Sequence, residues 1–458
     1  MGKDRALTGA ADLQDYFEAG SKPREDWGVG IEYERVGVFT DTGRAIPYHG
    51  QRSLSALLAR LVSREGWRPR YSGPHIIALE NDLAAIHLEP GGQLELSGAV
   101  HRRLLDLREE VLHWASQIQS HSEPLGITWL GIGLQPFSAL SDIEWVPKPR
   151  YAIMSAHLAR TGTMGHVMMK QTAGIQTNLD YEDEEDALEK FRVAMGLTSV
   201  VTAIFANSPL AEGRPNGYLS YRGWAWQNTD PARCGLLPFV LDPGARFQDY
   251  LEYALNVPTM FIVRNGTFID LGGIPFGKFL ESGFGGHHAT RDDFQLHLTT
   301  LFPEVRLKHY LEIRGGDTAD PELAVAQVAF WKGILYDSAA RREAWNLVAN
   351  VTWEERLQFH REACRLGTES RLGGRSVLEI GADLYRIAAE GLDRQGEPPS
   401  LLDRLGGLVA PRGGSPGKVL AERWLGEWKQ DPARLIDYGS RMALRRIEST
   451  GGRLVEDH

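Results

Sequence analysis

Apolar and polar residues alternate with period two in four separated stretches of the chain, and each alternation sorts its residues onto opposite faces of a strand. Over residues 29–36, Gly30, Glu32 and Glu34 fall on one face and Val29, Ile31 and Tyr33 on the other. Over residues 87–98 two short strands hinge at Pro90-Gly91-Gly92, a sequence suited to a sharp turn. His87 and Glu89 share a face before the hinge. Gln93, Glu95 and Ser97 share one after it, with Leu94 and Leu96 behind. Residues 175–180 group Gln176, Asn178 and Asp180. Residues 305–314 read as one ten-residue strand whose polar face carries Arg306, Lys308, Tyr310, Glu312 and Arg314.

Between these strands the period changes to that of a helix. Residues 53–63 place Leu54, Leu57, Leu58 and Leu61 on one stripe, and residues 100–120 do the same with Leu104, Leu107, Val111, Ala115 and Ile118. A second long helix is predicted over 185–207, ending at Asn207-Ser208-Pro209. A short helix is expected over 10–19, a buried strand over 127–133, and further helices over 322–337, 354–365, 376–392 and 417–429. The stretch from Asn207 to Pro238 reads as a loop-rich wall of aromatics and arginine, its tryptophans serving mainly as packing. This is an α+β pattern: an antiparallel sheet packed on helices, followed by a helical C-terminal portion. The candidate strands span residues 29 to 314, so no independent domain separates within that range. The expected unit is one catalytic domain, residues 1–458, with its core at about 27–336 and the helical portion at about 337–458.

One polar strand face is an ordinary solvated surface. Four of them, apolar behind and rich in carboxylates and amides in front, make a floor of oxygen donors, the ligand set that Mg²⁺ takes together with waters and phosphate. Arginines beside the carboxylates supply forked donors for phosphate or carboxylate groups.

The 458 residues are 42% hydrophobic and 24% charged, the balance of a soluble globular protein. A net charge of −10 argues against nucleic acid or an anionic membrane as the main partner. No run approaches the roughly 18 apolar residues of a membrane span. Cys234 and Cys364 are too few for a disulfide framework and read as reduced thiols, so a cytoplasmic location is expected. Residues 1–6 lack an apolar signal core, and Ala6 stands where a myristoylation site needs Ser or Thr. Oligomeric state leaves no trace in the sequence.

Three motifs are decoys. Gly272 to Lys278 has the glycine and lysine spacing of a phosphate-binding loop, but Phe279 replaces the Mg²⁺-binding hydroxyl and Pro275 removes a cradle N–H. Gly28-Val29-Gly30 opens like a dinucleotide fingerprint, with Tyr33 at the third glycine position. His287-His288 has no third ligand nearby.

Several of the stretches resemble the plant-type glutamate–cysteine ligases, which also occur in many bacteria. They are Gly30-Ile31-Glu32-Tyr33-Glu34, Leu88 through Gly98, Phe205 through Pro209, Pro215-Asn216-Gly217, Gly235 through Val240, Phe302 through Lys308 and Leu311 through Gly315. The resemblance runs from about Trp27 to Tyr336, and more weakly to Trp428. It implies a glutamine-synthetase-like fold with a curved antiparallel sheet as the active-site floor. It also implies a reaction: ligation of the γ-carboxylate of L-glutamate to the amine of L-cysteine, with ATP as co-substrate and γ-glutamyl phosphate as intermediate. On the same resemblance Glu32, Glu34, Glu89, Glu95, Gln176 and Glu312 would hold two or three Mg²⁺ ions. Some superfamily members have histidine where Gln176 stands. Arg314 and Glu312 would be catalytic, and Arg150, Arg222 and Tyr221 would bind substrate, Arg150 through the α-carboxylate of glutamate. Some plant relatives are controlled by disulfides, but no local match gives that role to Cys234 or Cys364.

Other functions fit less well. A glycoside hydrolase needs two carboxylates, not six oxygen ligands on separate strands. A silent binding protein would have lost ligands, and none of the six positions is apolar. A ligase of the same superfamily with another amine acceptor is the nearest rival.

Overall fold

The computed structural model describes residues 7–442; the readings made on residues 1–6 lie outside the described part. Nine strands form one sheet: β1 (Val29–Phe39), β2 (Arg68–Ser72), β3 (His75–Glu80), β4 (Ala85–Leu88), β5 (Leu94–Ser97), β6 (Ile127–Leu130), β7 (Gly174–Leu179), β8 (Val305–Leu307) and β9 (Leu311–Asp317). Their order is β8-β9-β7-β1-β5-β4-β3-β2, with β6 pairing to the second half of β1. Every pairing in this sheet is antiparallel.

All four alternating stretches therefore join one sheet. Val29, Ile31 and Tyr33 are buried on the face that packs against helix α2 (Leu104–Ser122) and the helix Pro321–Leu335, while Glu32 and Glu34 stand on the other. The hinge is a tight turn: the Gly92 N–H donates to the Glu89 carbonyl at 2.8 Å, and Glu89 N–H to the Gln93 carbonyl at 2.8 Å. Gly92 sits at φ +87°, and a Cβ on Gly91 would lie 2.0 Å from the Lys170 carbonyl oxygen. Only glycine satisfies both positions.

Residues 305–314 do not form one strand. The chain folds back at Lys308-His309-Tyr310, where the Lys308 N–H donates to the Tyr310 carbonyl, and Leu307 pairs with Leu311. The alternation survives because the reversal preserves which residues share a face. Its consequence is that Arg306 faces Glu312 directly across the β8–β9 pair.

The helices largely follow their apolar stripes: α1 (Leu54–Glu65), N-capped by the Ser53 hydroxyl, then α2, and α5 (Glu184–Ile204), capped by Asp183. Residues 10–19 form short 3-10 turns in place of the expected helix. Between α2 and α5 lie α3 (Arg150–Thr161) and α4 (Gly165–Gln171). In the aromatic stretch a further helix, α6 (Tyr221–Gln227), forms. Beyond the sheet, the helices Trp353–Leu366, Val377–Arg394 and Pro416–Leu425 match the stripes read there; Pro432–Met442 was not anticipated. The helix Pro321–Leu335 is buried along its length, packing on both β7 and Val377–Arg394. Lys278 of the phosphate-loop decoy pairs with Glu281 at the surface. Among the described residues no helix is long and apolar enough to cross a membrane.

Candidate active site

A cavity of about 870 Å³ opens over the polar face of the sheet, and Glu32, Glu34, Glu89, Glu95, Gln176, Arg150 and Arg314 all contribute to its wall. Strand register explains the gathering. Glu34 lies directly opposite Glu95, Glu32 opposite both Ser97 and Gln176, and His87 opposite Glu95. Side chains directly opposite on one face of a sheet sit about 5 Å apart at Cβ, and two like charges so placed repel.

The repulsion shows in their acidities. Burial first, then the charges of Glu89, Glu32 and Glu34, hold the Glu95 carboxyl well above the usual range. Burial and Glu89 push Glu34 up to about 7, against Arg222 and the N–H of Gly174, which donates to it at 2.5 Å. Burial and Glu312 raise Glu32. These acids, Glu95 buried and Glu32 and Glu34 half-buried, lack enough positive charge around them to ionise comfortably. Oxygen donors with surplus negative charge fit a hard divalent cation. Among the described residues no group of three or more His, Cys, Asp or Glu side chains is placed to hold a metal ion. Mg²⁺ does not need one, since it binds through one or two carboxylates and is completed by water and substrate phosphate.

A stability test follows. A carboxyl whose folded pKa is raised binds its proton more tightly in the folded state, so the stabilisation is present at low pH and lost as pH rises through the folded pKa. For Glu34 that window runs from its ordinary 4.5 to about 7. In EDTA the melting temperature should fall between about pH 5 and pH 8, and Mg²⁺ added at pH 8 should restore it. A Mg²⁺ response equal at both pH values would remove these carboxylates from the cation site.

Glu312 differs from the other acids. It is fully buried and does not reach the cavity wall. Arg306 at 2.6 Å, Lys308 at 2.6 Å and Arg314 at 2.5 Å surround it and, although burial works the other way, hold its carboxyl well below the usual range. Arg314 also donates to the Gln176 amide oxygen at 2.5 Å, so that oxygen is engaged in this structure. The Arg314 guanidinium lies 5.3 Å from the Trp226 ring and 5.7 Å from that of Phe302, a flanked and oriented cation.

Arg150 is the first residue of α3, with its guanidinium 5.2 Å from the Tyr151 ring, and its Nε has no hydrogen-bond partner among the described residues. Arg222 and Tyr221, the other two expected substrate ligands, are not on the wall of the large cavity. Arg222 is buried; it donates to the Arg314 carbonyl at 3.0 Å and lies 3.9 Å from Asp317. Ser220 caps α6 and Asp317 accepts from its hydroxyl, which turns Arg222 into that network. The Tyr221 ring packs with Tyr218 and Trp224 at 5.9 and 5.1 Å.

Residues the sequence reading passed over also reach the cavity. Lys148 is buried, donates to the Leu88 carbonyl at 2.7 Å, and is lowered to about 8 by burial. The prolines on either side of it, 147 and 149, were the signal available. Trp226 lies on the wall although the tryptophans were read as packing, as Trp224 is. Arg306 also lines the cavity. Gln93, also on the cavity wall, is a structural clamp, donating to the carbonyls of Met169 and Thr172 and accepting from the Gly91 N–H.

The sequence was compared with known proteins. It is 38% identical over 421 residues to the chloroplastic glutamate–cysteine ligase of Nicotiana tabacum, covering 91% of this chain and 80% of that one. It is 37% identical over 422 residues to the chloroplastic enzyme of Arabidopsis thaliana, covering 92% and 80%. Among solved structures, the glutamate–cysteine ligase of Francisella tularensis in complex with AMP shares the fold, with a TM-score of 0.52 at 12% identity over 94% of this chain and 95% of that one. That the plant relatives are named chloroplastic overturns the cytoplasmic location expected from the two cysteines: low cysteine usage reports a reducing surrounding, not a compartment. The profile of glutamate–cysteine ligase family 2 (GCS2) matches residues 28–401, and with these relatives it shows that the chain belongs to that family.

Proposed function

We propose that this protein is an ATP-dependent glutamate–cysteine ligase, which joins the γ-carboxylate of L-glutamate to the amine of L-cysteine through γ-glutamyl phosphate, the first step of glutathione biosynthesis. The observation that carries the reading is the floor of carboxylates that shares one cavity with Arg150 and Arg314. A carboxylate oxygen is a poor leaving group, so amide formation needs it phosphorylated first. The γ-carboxylate oxygen attacks the terminal phosphorus of ATP and ADP leaves. The cysteine amine then attacks the acyl carbon, expels phosphate and gives up a proton. The protein's part is alignment and charge stabilisation.

Glu32, Glu34, Glu89 and Glu95 would hold Mg²⁺ and the Gln176 amide oxygen would join them, whereas Glu312, off the cavity wall and enclosed by Arg306, Lys308 and Arg314, would act instead by orienting Arg314. When bound, the metal screens the charge of the triphosphate and acts as a Lewis acid toward its oxygens. Arg150, on the cavity wall, would bind the α-carboxylate of glutamate through its guanidinium. Arg314 neutralises the phosphoryl group in transit. We also read the chain as one catalytic unit, supported by the buried helix Pro321–Leu335 that joins the back of the sheet to the C-terminal helices.

Glutamate labelled with heavy oxygen in the γ-carboxylate should deliver one labelled oxygen to the released phosphate. Label kept wholly in the dipeptide would rule out the acyl phosphate. In the same assay, a panel of amines should show cysteine as the best acceptor. A better one would leave the chemistry standing and change the named product.

A further inference from the structure

Strand β9 breaks its register beside the active-site floor. Ile313 pairs with Thr177 and Gly316 with Ile175, so Arg314 and Gly315 together stand against the single residue Gln176 on β7. This is a β-bulge, which takes backbone groups out of the ladder and re-aims the side chain it carries. Here that side chain is Arg314. The next two positions take none: a Cβ on Gly315 would run into the Thr198 hydroxyl, and one on Gly316 into the Gln327 amide oxygen.

Hydrogen bonds from other segments hold the bulge. The Arg314 N–H donates to the Glu304 carbonyl at 3.0 Å, and Arg222 Nη2 donates to the Arg314 carbonyl at 3.0 Å. The Thr202 hydroxyl donates to the Gly315 carbonyl at 2.9 Å. Thr202 is buried on α5, which packs against β9. Its one proton also has the Thr198 carbonyl within reach, at 3.1 Å, the ordinary partner of a helical threonine. The Gly315 carbonyl is the nearer of the two.

Given the role read above for Arg314, we propose that Thr202, which does not line the large cavity, is a positioning residue for phosphoryl transfer. By holding the Gly315 carbonyl it fixes the bulge, and the bulge sets where the Arg314 guanidinium stands beside Gln176 and Glu312. A misplacement of about 1 Å at a reacting centre costs up to about 10² in rate, so a hydroxyl that never meets substrate reaches the chemistry through the backbone.

The test is a double-mutant cycle on the full chain, read by steady-state kinetics beside thermal melts. Thr202→Val keeps the shape and removes the donor. Alone it should lower kcat about tenfold, the scale of one hydrogen bond, with the KM for glutamate changed less than about twofold. In the Arg314→Ala background the same change should cost less than about twofold, since the group it positions is already gone. Thr202→Ser, which keeps the hydroxyl, should hold kcat within about twofold of wild type. If Thr202→Val does not fold, Thr202→Cys, a weaker donor, takes its place in the cycle with an expected loss of about threefold. An equal loss in both backgrounds, a raised KM with kcat kept, or a Thr202→Ser variant as slow as Thr202→Val would each overturn the proposal. Should Arg314→Ala itself leave kcat unchanged, the role read for Arg314 falls, and that of Thr202 with it.

Discussion

Glu95→Gln is expected to remove turnover while raising the stability of the metal-free protein, and Glu312→Gln to lower both. The two acids share one sheet and one suggested role, yet their surroundings are opposite. Glu95 is buried among Glu89, Glu32 and Glu34 with no cation paired to it among the described residues, so its charge opposes folding when no metal is bound. Replacing it with the neutral amide relieves that repulsion and, on the proposed role, removes one of the carboxylates that would hold the Mg²⁺ screening the triphosphate. A turnover loss of about 10²–10³ is expected, the range for one preorganised electrostatic group. Glu312 is the common counter-charge of Arg306, Lys308 and Arg314. Its loss leaves three cations crowded in the interior, and breaking such a buried cluster costs about 3–5 kcal/mol. Thermal melts of both variants in EDTA at about pH 8, beside steady-state rates, decide the matter. Equal destabilisation of both variants would mean that the floor is a structural network and not a cation site.

Arg314→Ala should lower kcat by about 10³ while changing the KM for glutamate little, and Arg314→Lys should not rescue it. Phosphoryl charge is greatest in the transition state, where an oriented arginine contributes on this scale. Flanked by Trp226 and Phe302 and bonded to Glu312 and Gln176, the guanidinium is held in a plane that an ammonium group cannot reproduce. Arg150→Ala should behave the other way, raising the KM for glutamate at least about tenfold with a smaller effect on kcat, because a carboxylate contact is made equally in ground and transition states. The reverse pattern in the two variants would exchange their roles.

Local pattern was enough to show which residues share a face. In a strand, side-chain direction depends only on whether a position is odd or even, so Glu32 with Glu34, Glu95 with Ser97, and Gln176 with Asn178 could be grouped from the alternation alone. The Pro90-Gly91-Gly92 turn was legible for the same reason, since its backbone demands lie within three residues. The reversal at Lys308 was hidden because it leaves that parity intact. Helix stripes located α1, α2 and α5, while the short α6 was too brief to carry one.

What the sequence by itself determined is therefore the composition of the polar floor and, through its resemblance to glutamate–cysteine ligases, the family and reaction. Only the tertiary structure decided who faces whom. Strand order brings Glu34 opposite Glu95 and Glu32 opposite Gln176 across separations of more than 60 residues, which no local period encodes. It also decided charge: Glu95 and Glu312 look alike in sequence, yet one is crowded by acids and the other enclosed by cations. Likewise it turned Arg222 into the Asp317 network and brought Lys148 to the cavity, because a side chain's partners, unlike its face, depend on distant segments.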